Sequence, residues 1–125
     1  MNTKTEELLK RTFKFGVDTL KFLNSIPHTA VNKVLIYQLA KSSTSIGANY
    51  EESQAAESTD DFIHKIGISS KEVRESNYWL RILKEMFTDN AHINQKNILI
   101  EESSQLKKIF TSIKLSAQEK KRNIK

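Results

Sequence analysis

The 125-residue chain has no cysteine, one proline and three glycines. Without cysteine there is no disulfide framework, no zinc-thiolate site and no cysteine nucleophile. A reducing cytoplasm fits that composition and is the expected location. So few prolines and glycines argue against a β-sandwich, which needs many turns, and favour a few long helices. No apolar run approaches the length needed to cross a bilayer, so no membrane association is expected. The opening segment MNTKTEELLKRTF lacks the uninterrupted apolar core of a secretory signal. The length suits a single domain with a core of its own.

Charge is unevenly placed. Residues 1–90 carry 12 Lys/Arg and 12 Asp/Glu, whereas residues 91–125 carry 8 Lys/Arg against Glu101, Glu102 and Glu119, so the whole net charge of +5 lies in the last segment. Such a segment is either a solvated helix with a basic end or an electrostatic footprint for nucleic acid. Lys107, Lys108, Lys114, Lys120, Lys121 and Arg122 are the candidate contacts in the second case.

Hydrophobic periodicity predicts four helices. The first runs from about Thr5 to Asn24, capped by Thr3 with Glu6, on a stripe of Leu9, Phe13, Gly16, Leu20 and Leu23. Pro27 ends it. The second spans about Thr29 to Ala56 on Val31, Leu35, Leu39, Ser42, Ile46, Asn49 and Ser53. The third covers about Asp60 to Phe87, capped at Ser58 or Thr59, on Phe62, Ile66, Ser69, Val73, Ser76, Leu80, Leu83 and Phe87. The fourth starts near Asn94 and frays after about Ala117, on Leu99, Leu106, Ile109 and Ile113. Short connections make this an all-α, antiparallel up-down four-helix bundle over residues 1–117, with a basic C-terminal tail at 118–125.

A run of small and polar residues, QLAKSSTSIGANYEESQAA, occupies Gln38 to Ala56, where a helix should be apolar. The third helix has a similar soft middle at Gly67, Ser69 and Ser70. Two helices carrying small residues at one level can approach closely, and polar groups caught between them must be hydrogen-bonded. Ser42, Asn49, Glu52, Ser70 and Glu72 are the expected polar core. The third helix also has a second apolar edge, Ile68, Trp79, Ile82 and Met86, which suggests a further burial surface and hence an oligomer.

Catalytic templates fare poorly. Asp61 and His64 resemble half of a carboxylate-histidine pair for a di-metal bundle, but no Glu-x-x-His occurs to complete one. No Arg is followed at four to six residues by His, as helical ribonucleases of the toxin type require. No phosphate-binding glycine loop is present. The carboxylates Glu51, Glu52, Glu72 and Glu75 could form a proton-transfer or metal pocket; without histidines at matching spacing a structural network is favoured. Tyr50, Tyr78 and Trp79 could stack bases, but their spacing is that of packing residues. No cofactor is expected.

The segments QLAKSSTSIGANYEES and FIHKIGISSKEVRESNYWL carry a resemblance. They resemble the paired signatures of the four-helix-bundle proteins encoded by intervening sequences within bacterial 23S ribosomal RNA genes. That family shares its fold with the accessory variability determinants of diversity-generating retroelements. The resemblance covers about residues 5–115 and is most specific in the second and third helices. It marks Gln38, Leu39, Ser42, Ser45, Ile46, Asn49 and Glu52, then Phe62, Ile68, Ser70, Glu72 and Leu80. Ser53 stands where the family often has Gly or Ala, and Lys41 where it often has Arg. The resemblance implies a ring-shaped homopentamer without established enzymatic activity. In the retroelement relatives a basic ring surface engages nucleic acid and a reverse transcriptase. The expected function is therefore a non-enzymatic, oligomeric bundle that binds structured RNA, or DNA, through basic surfaces. The alternative is a structural or protein-binding adaptor whose charge only confers solubility.

Overall fold

A computed structural model describes residues 2–87 and 90–124. Four helices account for nearly all of them: α1 (Thr3–Asn24), α2 (Ala30–Ser53), α3 (Thr59–Met86) and α4 (Asn90–Ile124). Each packs against its neighbours in the ring α1–α2–α3–α4, and across the centre diagonal helices meet through core side chains, as where the rings of Tyr50 and Phe110 lie 5.5 Å apart. This is the antiparallel up-down four-helix bundle. The α1–α4 seam is the slightest of the four.

Side chains define the helix starts. Asn2 accepts from the Thr5 amide at 2.7 Å. Thr29 accepts from Asn32 at 3.1 Å and Ser58 from Asp61 at 3.0 Å. The cap of α1 is thus Asn2 rather than Thr3; Asn is the stronger cap, and it draws Thr3 into the first turn. The second helix stops at Ser53, three residues before the expected end. The fourth begins four residues early and continues past Ala117 to Ile124, so residues 118–124 are helical. Gln118, Glu119, Lys120, Lys121 and Arg122 are good helix formers, and cations in the last turn suit the helix dipole. Lys121 also forms an ion pair with Asp60 at the start of α3, which anchors this end.

The core is built on Phe15, Leu39, Ile46, Ile66, Leu80, Leu83, Leu99, Leu106 and Phe110, all essentially inaccessible. The α1 stripe differs from the expected one. Leu8, Thr12, Phe15, Thr19 and Phe22 point inward, while Phe13 is 66% exposed and Leu20 is 40% exposed. Two threonines interrupt the true stripe, so the apolar edge beside it reads as the better face. The Thr12 hydroxyl is satisfied by donating to the Leu8 carbonyl at 2.9 Å. On α2, Val31 also lies outside the core, at 60% exposure.

Small residues set the spacing of α1 and α2. A Cβ at Gly47 would stand 3.3 Å from the Thr12 hydroxyl and 3.4 Å from its backbone carbonyl carbon. That is a close approach only glycine fits without displacement. Between α2 and α3 the contacts are hydroxyls. Ser69 donates to the Ile46 carbonyl at 2.9 Å, and Ser76 donates to Ser42 at 2.9 Å.

Candidate nucleic-acid interface

The cations named from the sequence do not form one patch. Lys107, Lys114 and Lys121 recur at seven-residue spacing, so they share the face of α4 turned toward α3. Lys108 instead lines a cleft between α1 and α4. Lys120 lies with Lys4 of α1 around the end of the bundle, beside Ser53 and Ser58. Arg122 is exposed near the end of α4.

Lys121 pairs with Asp60 of α3, but what Lys114 meets there is more basic charge. A groove of about 410 Å³ runs between the two helices, lined by Lys71, Arg74, Lys114, Ser70 and Thr111, with Gly67 opposite Lys114. A Cβ at Gly67 would lie 3.6 Å from the Lys114 ammonium nitrogen, so the missing side chain opens the groove floor. One heptad beyond Arg74, Arg81 donates to the Asn77 side chain at 2.9 Å, and Asn77 donates to Ser103 of α4 at 2.9 Å. The Arg81 guanidinium lies 5.7 Å from the centre of the half-exposed Tyr78 ring. Among the described residues no carboxylate lines this groove.

Lys71, Arg74 and Arg81 were missed because charge was summed along the chain. Residues 1–90 are neutral in total, but helical periodicity segregates them: Lys71, Arg74 and Arg81 lie on the α4 side of α3, whereas Glu72 and Glu75 lie on the α2 side. Spacings of three and seven residues among the α3 cations carried that signal.

The polar core is made of hydroxyls rather than carboxylates. Ser42 is buried in the α2–α3 seam, and Ser70 is buried at the groove. Asn49 is half-buried and donates to the Ser45 carbonyl of its own helix at 2.8 Å. Glu52 is not in the core: its side chain is 60% exposed and stands 3.8 Å from Lys65. Glu72 is half-buried. Burial and the neighbouring Glu75 raise its pKa, against an opposing pull from Lys71 and Lys41. The outer edge of the seam leaves these carboxylates water, where burying an ionised group would cost several kcal/mol, on the order of the usual penalty for a desolvated charge. Thr12, Thr19, Asn32, Ser43, Ser53, Ser69, Ser76, Lys96 and Ser103 are the buried polar side chains that sequence reading passed over or took as mere spacers.

The edge Ile68, Trp79, Ile82 and Met86 lies on the α2 side of α3. The first three are half-buried and Met86 is exposed. Trp79 donates from its indole nitrogen to Glu75 at 3.3 Å. The antiparallel register fixed by Ser42–Ser76 and Glu52–Lys65 puts the exposed Val31 and Val34 of α2 at the level of Met86 and Ile82.

Of the aromatic candidates, Tyr50 is in the core, edge-on to Phe110 at 5.5 Å. His64 is exposed, and His92 packs edge-on against Phe22 at 6.1 Å. Among the described residues no three His, Cys, Asp or Glu side chains come together as a metal site. No helix there is long and apolar enough to cross a membrane.

The family described as 23S rRNA-intervening sequence protein matches residues 4–115. The chain is also similar to a crystallised protein of unknown function from the S23 ribosomal protein family of Bacteroides thetaiotaomicron VPI-5482. The two are 31% identical with a TM-score of 0.73, over 85% of this chain and 96% of that one. No curated protein matches the chain.

Proposed function

Because the chain belongs to the 23S rRNA-intervening sequence protein family, we propose that it is a non-enzymatic, oligomeric bundle that holds structured RNA in the α3–α4 groove. The observation that carries this reading is the carboxylate-free lining. Lys71, Arg74 and Lys114 face one channel, with Lys107 and Arg81 extending it along both helices. Rows of cations along a groove neutralise a phosphate backbone and release its counterions. No base-reading motif accompanies them, so binding follows charge and shape.

Oligomerisation is part of the proposal. The α2–α3 face carries Val31, Val34, Trp79, Ile82 and Met86 at matching levels, and copies meeting there would bury them. By resemblance the ring has five copies. The α3–α4 groove would then repeat around it and enlarge the positive surface.

The test is fluorescence anisotropy with a labelled RNA hairpin across a salt series. Five phosphate contacts would give a plot of log affinity against log salt with a slope of about −3 to −5. No binding at low salt would favour the adaptor reading, with the charge serving solubility alone.

A further inference from the structure

We infer that the cleft between α1 and α4 is a binding site for a small amphiphilic anion, an apolar body carrying one carboxylate. This rests on a different part of the molecule from the RNA groove and stands or falls independently of it.

The α1–α4 seam is closed at its middle by Arg11, which donates to both oxygens of Glu102 at 3.0 and 2.6 Å. On the side of that clasp toward the start of α1, the two helices leave a cleft of about 630 Å³. That volume falls in the range of roughly 300–1,000 Å³ typical of small-molecule sites. Its apolar lining comes from four helices: Leu8 of α1, Tyr50 of α2, Phe62 of α3, and Ile109 and Ile113 of α4. Leu8 and Tyr50 are buried residues of the core, so the cleft reaches past the surface layer. The Tyr50 phenol stands beside the Thr5 hydroxyl at the inner wall; burial raises its pKa, and Thr5 offsets part of that effect.

The rim is positive. Lys4 and Lys108 both line it, and neither pairs with a carboxylate among the described residues. The start of α1 adds the positive end of a 22-residue helix, with Asn2 lining the cleft beside Lys4. Arg11 is already neutralised by Glu102. Among the described residues Glu7 is the one carboxylate lining the cleft, and it offsets one of the two lysines. The remaining excess suits a single negative charge at the rim, and the floor suits hydrocarbon. An uncharged apolar molecule would leave Lys4 and Lys108 unanswered, and a compact dianion would leave the floor wet. The proposed oligomer face lies on α2 and α3, so the cleft stays open in the assembly.

The experiment is a titration of the intact protein with sodium decanoate below its micelle concentration, followed on the leucine, isoleucine and valine methyl signals by NMR. Saturable shifts are expected at Leu8, Ile109 and Ile113, with none of matching size at the exposed Leu20, Val31, Val34 and Leu115. Lys4→Gln with Lys108→Gln should weaken decanoate about fivefold, the scale of an exposed charge pair, and leave the melting curve unchanged. Decanol should bind more weakly than decanoate to the unaltered protein and equally to both proteins. Shifts spread over the exposed residues, no saturation, or decanoate affinity unaffected by the lysine changes would each overturn the assignment. Ile113→Trp, checked for retained helicity, should fill the cleft and remove the binding; full binding by a folded Ile113→Trp protein would also overturn it.

Discussion

Ser76 of α3 donates its hydroxyl to the hydroxyl of Ser42 of α2 at 2.9 Å, with both side chains buried. One short hydrogen bond joins two helices at a level where neither carries a large side chain. Ser76→Ala is expected to lower stability by about 1 kcal/mol, because Ser42 is left with only a 3.4 Å contact to the Leu39 carbonyl. Ser42→Ala should cost a similar amount, and the double alanine variant less than the sum. Ser76→Leu should cost more, about 1–3 kcal/mol, because the helices must separate. Urea denaturation of the four proteins measures all of this; strict additivity of the two alanine changes would count against the bond.

Thr19 is the opposite case. It is fully buried, and its hydroxyl has no hydrogen-bond partner among the described residues. Thr19→Val keeps the shape and removes the unanswered polar atom, so it should raise stability by about 1 kcal/mol. Thr12→Val, by contrast, removes a hydroxyl bonded to the Leu8 carbonyl and should gain less. Thermal melts of the two variants should rank in that order, and a destabilised Thr19→Val would refute it.

The raised pKa of Glu72 gives a pH signature. A carboxyl whose folded pKa lies above its unfolded value binds its proton more tightly when folded. Its contribution to stability is present below the unfolded pKa and is lost as pH rises through the folded pKa. At neutral pH the ionised Glu72 is therefore unfavourable, beside Glu75 and partly out of water. Glu72→Gln should be more stable than the unaltered protein near pH 7, and the gap should close below about pH 4. A gap that widens on acidification would reverse the sign and the argument.

Much of the bundle was legible because its apolar periodicity is strong where the residues are Leu, Ile and Val. The α3 stripe from Ile66 to Leu83 is buried along its length. On α1 the reading slipped to Leu9, Phe13 and Leu20, since Thr12 and Thr19 carry a buried face that hydropathy scores as polar. The polar core was legible at Ser42 and Ser70, which are buried, and not at its three other positions. Asn49, Glu52 and Glu72 follow the helical spacing of the seam, but they stand at its edge; serine hydroxyls fill the level where the helices meet. The basic groove was half legible. Lys107 and Lys114 come from a segment with conspicuous net charge, while Lys71, Arg74 and Arg81 come from one whose charges cancel in sequence and separate only around the helix.

The α2–α3 face supplies the oligomer prediction. Val34 and Met86 are 60% and 52% exposed, so charging them costs the isolated bundle little. Val34→Glu with Met86→Glu should convert the proposed oligomer to monomers with helicity retained. Light scattering should give about five times the chain mass before the change and the chain mass after it. A monomeric mass for the unaltered protein at micromolar concentration would remove the oligomer from the proposed function.

The division of the cations between two sides of α4 gives the sharpest test of RNA binding. Arg74→Glu with Lys114→Glu reverses two charges in one groove. Affinity for an RNA hairpin should fall at least about tenfold, and the salt slope should shrink by about two. Lys108→Gln removes a charge of equal sequence prominence that faces the α1–α4 cleft instead. It should leave RNA affinity within about twofold, because an exposed charge beyond a Debye length of roughly 8–10 Å is largely screened. All three substitutions are at accessible side chains, so circular dichroism should show an intact bundle. Equal losses from the two proteins would mean that RNA answers to total charge, and the groove would then have no special claim on the phosphate backbone.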